Sequence, residues 1–326
     1  MGRDNFKEMF GMTQFKKIAF LFPGQGSQYP GMGKDFVEHF AEARETFEEA
    51  NDILGRNLSA IILDGPEAIL TETKNSQTGI FVMSIALLRV LRKMHLTFQP
   101  ALCSGLSLGE YTALTASGRL SFADALPLVQ YRGQYMNDAC EDTQGTMAVV
   151  LGLDADVVEN CVKEVNLPQD LWAANFNCPG QVVISGTKKG IEIGSEAVKA
   201  KGAKRVLPLS VHGAFHSGLM KQAEERLTEH VNHAPIVESS IEFVMNVPGD
   251  FVKEVSDIKR NLIKQVTTPV RWEQGVRKMC DTGVDLFVEI GCGKTLAGFN
   301  KRIGTVAPTI SVEKIEDLEF LSKILE

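Results

Sequence analysis

The chain has 326 residues, 44% of them hydrophobic and 23% charged, with a formal charge of −7 at pH 7. That length supports a large buried core and favours division into more than one compact unit. No run of eighteen apolar residues occurs, so no membrane-spanning helix is expected, and the acidic balance argues against a nucleic-acid binder. The six cysteines, Cys103, Cys140, Cys161, Cys178, Cys280 and Cys292, form no Cys-x-x-Cys pair. Free thiols in a reducing cytoplasm fit this pattern, and neither a metal site nor a bound cofactor is expected.

Residues 1–13 read as an extension: they lack the apolar core of a secretion signal, and Phe6 stands where myristoylation wants Ser or Thr. The apolar run Ile18 to Phe22, followed by Pro23-Gly24, predicts a buried strand that ends in a loop. Helical periodicity follows over 33–54 and 77–95, the second apolar almost all round and therefore buried. A short strand at 100–105 leads into a helix that Gly118 closes. Between them lies Gly105-Leu106-Ser107-Leu108-Gly109. A Gly-x-Ser-x-Gly pentad is weak alone, but strand–pentad–helix is the context of a nucleophile elbow.

From residue 143 the pattern changes to strand, helix, two strands, helix and strand, with the middle strands joined across Cys178-Pro179-Gly180. That βαββαβ order is ferredoxin-like and predicts a small subdomain over 143–208. Helix-plus-strand segments then resume, among them "VDLFVEIGCGKTL". Its Gly-Cys-Gly-Lys-Thr is no nucleotide loop, because a Walker motif needs Gly where Val288 stands.

A nucleophilic serine needs a base. Of the six histidines, His39, His95, His230 and His233 lie in polar helical stretches and read as solvated. His216 sits at a loop–helix junction, which favours it over its nearest rival, His212. The glycine-rich loop 22–33 lacks the lysine of a phosphate loop, leaving an oxyanion hole or a plain Pro-Gly turn. Arg132, on a helix among apolar neighbours, reads by itself as a surface salt-bridge residue.

Taken together, "FPGQGSQYPGMG", "GLSLGEYTAL", "QYRGQYM", "NFNCPGQVVISG", "GAFHSGLM", "TTPVRW" and "EIGCGKTLAG" resemble the malonyl-CoA:acyl-carrier-protein transacylase family, in the family's order, from about residue 17 to 303. The resemblance implies an α/β fold: a hydrolase-like domain (14–142 and 209–326) with a central, mostly parallel sheet, plus the inserted ferredoxin-like unit 143–208. It implies Ser107 as acyl-accepting nucleophile, His216 as base held by the backbone carbonyl of Gln265, and the amides of Gln25 and Leu108 as oxyanion hole. It makes Arg132 the ligand of the malonyl carboxylate. The expected activity is ping-pong transfer from malonyl-CoA, the substrate, to the phosphopantetheine thiol of acyl carrier protein, the partner, in fatty acid biosynthesis.

Two positions stand out against the family pattern. Leu106 replaces the usual histidine before the serine, and Phe215 sits in the Ala-Phe-His form that accompanies malonyl rather than methylmalonyl selection in related polyketide acyltransferases. A stand-alone polyketide acyltransferase, an acyl-carrier or acyl-CoA hydrolase, and an inactive carrier-binding module are the alternatives. Lys188, Lys189, Lys201, Lys204 and Arg205 are candidates for a carrier-facing basic rim. A cytoplasmic monomer is expected.

Overall fold

The computed structural model describes residues 15–95, 98–211 and 213–325. The extension expected over 1–13 and the rival base His212 lie outside the described residues. The chain opens with β1 (Ile18–Phe22), α1 (Lys34–His39), α2 (Ala41–Leu54), α3 (Leu58–Asp64), α4 (Glu67–Thr71) and α5 (Thr73–Met94). Next come β2 (Leu102–Gly105), α6 (Gly109–Ala116), α7 (Phe122–Thr143), β3 (Thr146–Leu151), α8 (Ala155–Val165), β4 (Leu171–Cys178), β5 (Gln181–Gly186), α9 (Lys188–Ala200) and β6 (Arg205–Pro208). The remainder supplies α10 (Lys221–His233), β7 (Glu242–Met245), β8 (Asp250–Phe251), α11 (Val255–Lys264), α12 (Trp272–Asp281), β9 (Leu286–Ile290), α13 (Thr295–Ile303), β10 (Thr309–Val312) and α14 (Ile315–Leu325).

β1 and β9 are apolar at nearly every position and buried along their whole length. Such strands have no face to give to water, and they occupy the interior of a parallel sheet ordered β10-β9-β1-β2-β7, to which β8 adds antiparallel. Helices cover both faces, one over the cluster around Phe20, Phe22 and Val288, the other over Leu21, Phe287 and Trp272. The second sheet, ordered β4-β5-β3-β6 and antiparallel throughout, carries its own core around Val150, Phe176 and Ile184. The fold is therefore the α/β class expected, a mostly parallel central sheet with a ferredoxin-like unit. The segment between α11 and α12 is tied to β4 where the Phe176 amide donates to the Val270 carbonyl at 2.8 Å and the Val270 amide donates to the Ala174 carbonyl at 2.9 Å.

The segment 33–54 is two helices, because Phe40 adopts φ −120°, ψ 129° between α1 and α2. The apolar spacing Phe36, Phe40, Ala43, Phe47, Ala50 runs through that break without a gap, so periodicity alone could not mark it. The buried helix expected over 77–95 begins earlier, at Thr73. Its first turns bring Asn75, Ser76, Gln77 and Thr78 into the interior, where polar side chains are used rather than solvated.

The turn from β2 to α6 is the tightest part of the large sheet. A Cβ on Gly105 would stand 2.0 Å from the backbone of Gly109, and one on Gly109 would stand 2.1 Å from the carbonyl oxygen of Phe22. Neither partner is a side chain that can step aside. Gly105→Ala is therefore expected to lower the stability of the protein by about 3 kcal/mol, read as a lower urea midpoint with an unchanged slope.

Candidate active site

Part of the site emerges at the carboxyl ends of the parallel strands, where open α/β sheets gather ligands, while Arg132 comes from within α7, Gln265 follows α11 and His216 follows β6. β1 delivers the loop with Gly24 and Gln25, β2 delivers Ser107, β7 delivers Asn246, and β9 precedes α13. Ser107 has φ 51°, a left-handed conformation that is strained for serine by about 1–3 kcal/mol. Three contacts hold it there. Its amide donates to Asn246 Oδ1 at 2.6 Å, and its carbonyl accepts from Gln265 Nε2 at 3.0 Å and from the Glu110 amide at 3.1 Å. Asn246 completes the clamp by donating Nδ2 to the Gly105 carbonyl at 2.8 Å. The helix starts at Gly109, two residues beyond the serine, so Ser107 faces its amino end from the turn itself.

The imidazole of His216 meets this hydroxyl, with Nε2 2.9 Å from Ser107 Oγ. Its other nitrogen lies 2.7 Å from the backbone carbonyl of Gln265. A carbonyl only accepts, so Nδ1 carries the proton and the lone pair of Nε2 faces the serine. Burial, reinforced by the charge of Arg132, lowers the His216 pKa to about 4, leaving the ring neutral at physiological pH. His216 also has a positive φ, 56°, so both halves of the pair sit on backbone that ordinary residues avoid.

Arg132 is no surface residue. It is 1% exposed, and the salt-bridge reading suggested by its helix position is corrected. Nη2 donates to Ser107 Oγ at 3.0 Å and to Gln265 Oε1 at 2.8 Å, while Nη1 donates to Gln77 Oε1 at 2.5 Å. These partners are neutral, and among the described residues no carboxylate comes within ion-pair distance. Glu110, fully buried, is a carboxyl group linked to Arg132 through Gln265, whose Nε2 donates to Glu110 Oε2 at 2.6 Å. The other Glu110 oxygen accepts the Asn246 amide at 2.6 Å. Burial raises the Glu110 pKa to about 8, against the pull of the Asn246 amide, the Arg132 charge and the Gln265 amide. Arg132 is thus a cation sealed beside the serine among neutral hydrogen-bond partners.

Gln25 lines the same cleft as Ser107 and Leu108 follows the serine in the chain, and neither backbone amide donates to a protein acceptor among the described residues. The Gln25 side chain is tied to α5, by Nε2 to Thr73 Oγ1 at 3.3 Å and by Oε1 to Gln77 Nε2 at 3.4 Å. Loop 22–33 is thus anchored, not a free turn. A cleft of about 200 Å³ leads to Ser107 and His216, with Leu106, Met136, Phe215 and Phe299 among its apolar walls. Phe299 and Thr295 reach it because Glu289, buried at the end of β9, accepts the Leu296 and Ala297 amides and fixes the start of α13. None of Lys188, Lys189, Lys201, Lys204 and Arg205 lines the cleft; all five are exposed, and Lys201 is paired with Glu164 at 2.7 Å.

Sequence reading named the serine, the imidazole and the arginine but missed Gln77, Glu110, Asn246 and the side chain of Gln265. The one available signal was the polar run Asn75 to Thr78 beside an otherwise apolar helix. Of the histidines read as solvated, His39 and His233 are exposed. His230 instead stacks on Tyr131 at 3.9 Å, and His95 bonds Ser322 Oγ at 2.7 Å.

Fold and geometry together define the class of α/β proteins that present a serine on a strand–helix turn to a buried imidazole. The acyl transferase domain family matches residues 19–312. The malonyl CoA-acyl carrier protein transacylase of Bacillus subtilis is 44% identical over 95% of this chain and 98% of its own. Among solved structures, an acyl-carrier-protein S-malonyltransferase from Burkholderia pseudomallei superposes with a TM-score of 0.90 at 42% identity, covering 94% of this chain and all (100%) of the other. A malonyl-transacylase solved in complex with a type II polyketide acyl-carrier protein gives 0.89 at 37% identity, covering 93% of this chain and 98% of the other. The chain belongs to the malonyl-CoA:acyl-carrier-protein transacylase family.

Two outcomes follow from the electrostatics. His216 is protonated only near pH 4, so kcat/KM is expected to stay flat down to about pH 5 and to fall below it. A carboxylate on Arg132 would cancel part of the charge that depresses the imidazole, so the acid limb of kcat should lie at higher pH than that of kcat/KM. Glu110→Gln would turn one amide N–H toward a donor that now meets an oxygen, costing about 1–3 kcal/mol in a urea titration.

Proposed function

We propose that the protein carries a malonyl group from malonyl-CoA to the phosphopantetheine thiol of acyl carrier protein through an ester on Ser107. His216 Nε2 takes the hydroxyl proton as Ser107 Oγ attacks the thioester carbonyl. The Gln25 and Leu108 amides receive the oxyanion. Collapse breaks the carbon–sulfur bond, and the proton held on His216 passes to the departing CoA thiolate. The carrier thiol then gives its proton to His216, attacks the ester carbonyl, and releases Ser107, which recovers the proton. Each half-reaction exchanges one acyl bond for another, and neither needs a metal or redox partner.

The observation that carries this reading is Arg132: a buried guanidinium 3.0 Å from the nucleophile with no carboxylate of its own. A hydrolase of simple acyl thioesters has no use for that charge, whereas a malonyl group brings the missing anion. Phe215, 7% exposed and lining the cleft, would occupy the room of an α-methyl, discriminating by about 1–3 kcal/mol. The likeness to malonyl CoA-acyl carrier protein transacylases supports a cytoplasmic reaction in fatty acid synthesis. The likeness to a transacylase bound to a polyketide carrier makes service to such a carrier the second reading. Comparing turnover with the two carrier types separates them.

Arg132→Ala is expected to lower malonyl-CoA kcat/KM by on the order of 10²–10³-fold, the cost of leaving a carboxylate unpaired in a buried site, while acetyl loading is spared or improved. Equal malonyl turnover in the variant removes Arg132 from the site. Incubation with malonyl-CoA should add one malonyl mass to the intact protein and none to Ser107→Ala. An unmodified wild-type chain would favour a carrier-binding module instead.

A further inference from the structure

A second cavity, of about 480 Å³, lies beside α5, the α6–α7 connection and residues 235–237. Neither Ser107 nor Arg132 lines it; Arg89, Arg92 and Arg119 do. Arg89 is satisfied, with Nη1 2.6 Å from Glu49. The other two are not. Arg119 is 2% exposed, and its Nε and Nη1 find no acceptor among the described residues. Its guanidinium rests 5.3 Å from the centre of the Phe243 ring, which balances one face but accepts no hydrogen bond in the plane. Arg92 spends Nη2 on the Ala116 carbonyl at 2.6 Å, while its Nε is likewise buried without a partner. Thr115 Oγ1 is a fourth buried polar atom with no partner, and Thr115 lines the same cavity.

Charge around the cavity does not balance either. Asp124 is the one carboxylate among its lining residues; it is exposed and accepts from Ser121 Oγ. Cys103, beside both arginines, stays a neutral thiol because burial pushes it up to about 12. The carboxyl end of α6 points this way and would repel an anion, but Arg92 already covers its Ala116 carbonyl. Arginine cannot discharge by losing its proton, so unmet N–H groups on a buried guanidinium call for an acceptor from outside the chain.

We propose that this cavity is a second anion site, in which Arg92, Arg119 and the Thr115 hydroxyl hold a small oxyanion, carboxylate or phosphate, separately from the Ser107 site. Oxyanions of either kind match the guanidinium fork. The ligand would sit at the far end of the helix that begins behind the nucleophile, joined to it through Arg92.

Isothermal titration calorimetry of the full-length protein with sodium phosphate, and separately with sodium succinate, at ionic strength held constant with sodium chloride, tests this. Saturable binding of one probe is expected, phosphate alone indicating a phosphorylated ligand and succinate alone a carboxylate. Affinity should fall at least about tenfold in Arg92→Gln and in Arg119→Met, and be retained in Arg132→Ala. Arg92 is half-buried, so its variant carries the test if Arg119→Met fails to fold. No saturable binding of either probe below about 10 mM, or binding lost in Arg132→Ala and kept in Arg92→Gln, overturns the proposal.

Discussion

The close approach of the β2–α6 turn to the end of β1 governs the rest of the structure. Gly109 lies against the Phe22 carbonyl, and Gly105 lies against Gly109, so closely that no side chain fits between them. That contact forces the intervening serine into left-handed backbone and lifts its hydroxyl out of the sheet. It also brings the turn against the start of the loop after β1, where the Leu106 amide donates to the Phe22 carbonyl at 3.0 Å. Without the approach there would be a serine in a loop, and no arrangement of donors around it.

Strain of that kind persists only where neighbours hold it. Here they are polar and buried: Asn246 from β7, Gln265 after α11, Glu110 from α6. Each touches the Ser107 backbone or a group that does. The same Gln265 supplies its carbonyl to His216 and its side-chain oxygen to Arg132. One residue therefore sets the tautomer of the imidazole, the position of the guanidinium and the conformation of the serine. Loss of its side chain would be felt directly at the guanidinium and the serine, while the backbone carbonyl that faces His216 would remain.

The electrostatic design is asymmetric. Arg132 is buried as a cation with neutral partners, and the anion proposed for this site would offset the cost of that burial. Meanwhile burial, reinforced by the field of Arg132, keeps the imidazole deprotonated in the free protein, which suits a base. The substrate carboxylate proposed for this socket would thus both satisfy the arginine and raise the basicity of His216 at the moment a proton must be taken. Leu106, where the family usually has histidine, joins the apolar wall of the cleft instead of the polar network.

Much of this was legible in the residues. Apolar runs such as Ile18 to Phe22 can only be interior strands, the βαββαβ order dictates a ferredoxin-like sheet, and glycines flanking a serine between strand and helix announce the elbow. These are local patterns, decided by side-chain periodicity and by which residues tolerate a tight turn. What periodicity cannot carry is the meeting of distant segments. Phe40 interrupts a helix whose apolar spacing is unbroken, and Gln77, Asn246 and Gln265 are unremarkable polar residues until three separate elements converge on Ser107. Whether Arg132 lies at the surface or in the core depends on what packs over its helix, which its own sequence does not state. Sequence determined the elements and the chemistry available to them; tertiary structure alone decided which charges lost their water, and so which of them became a site.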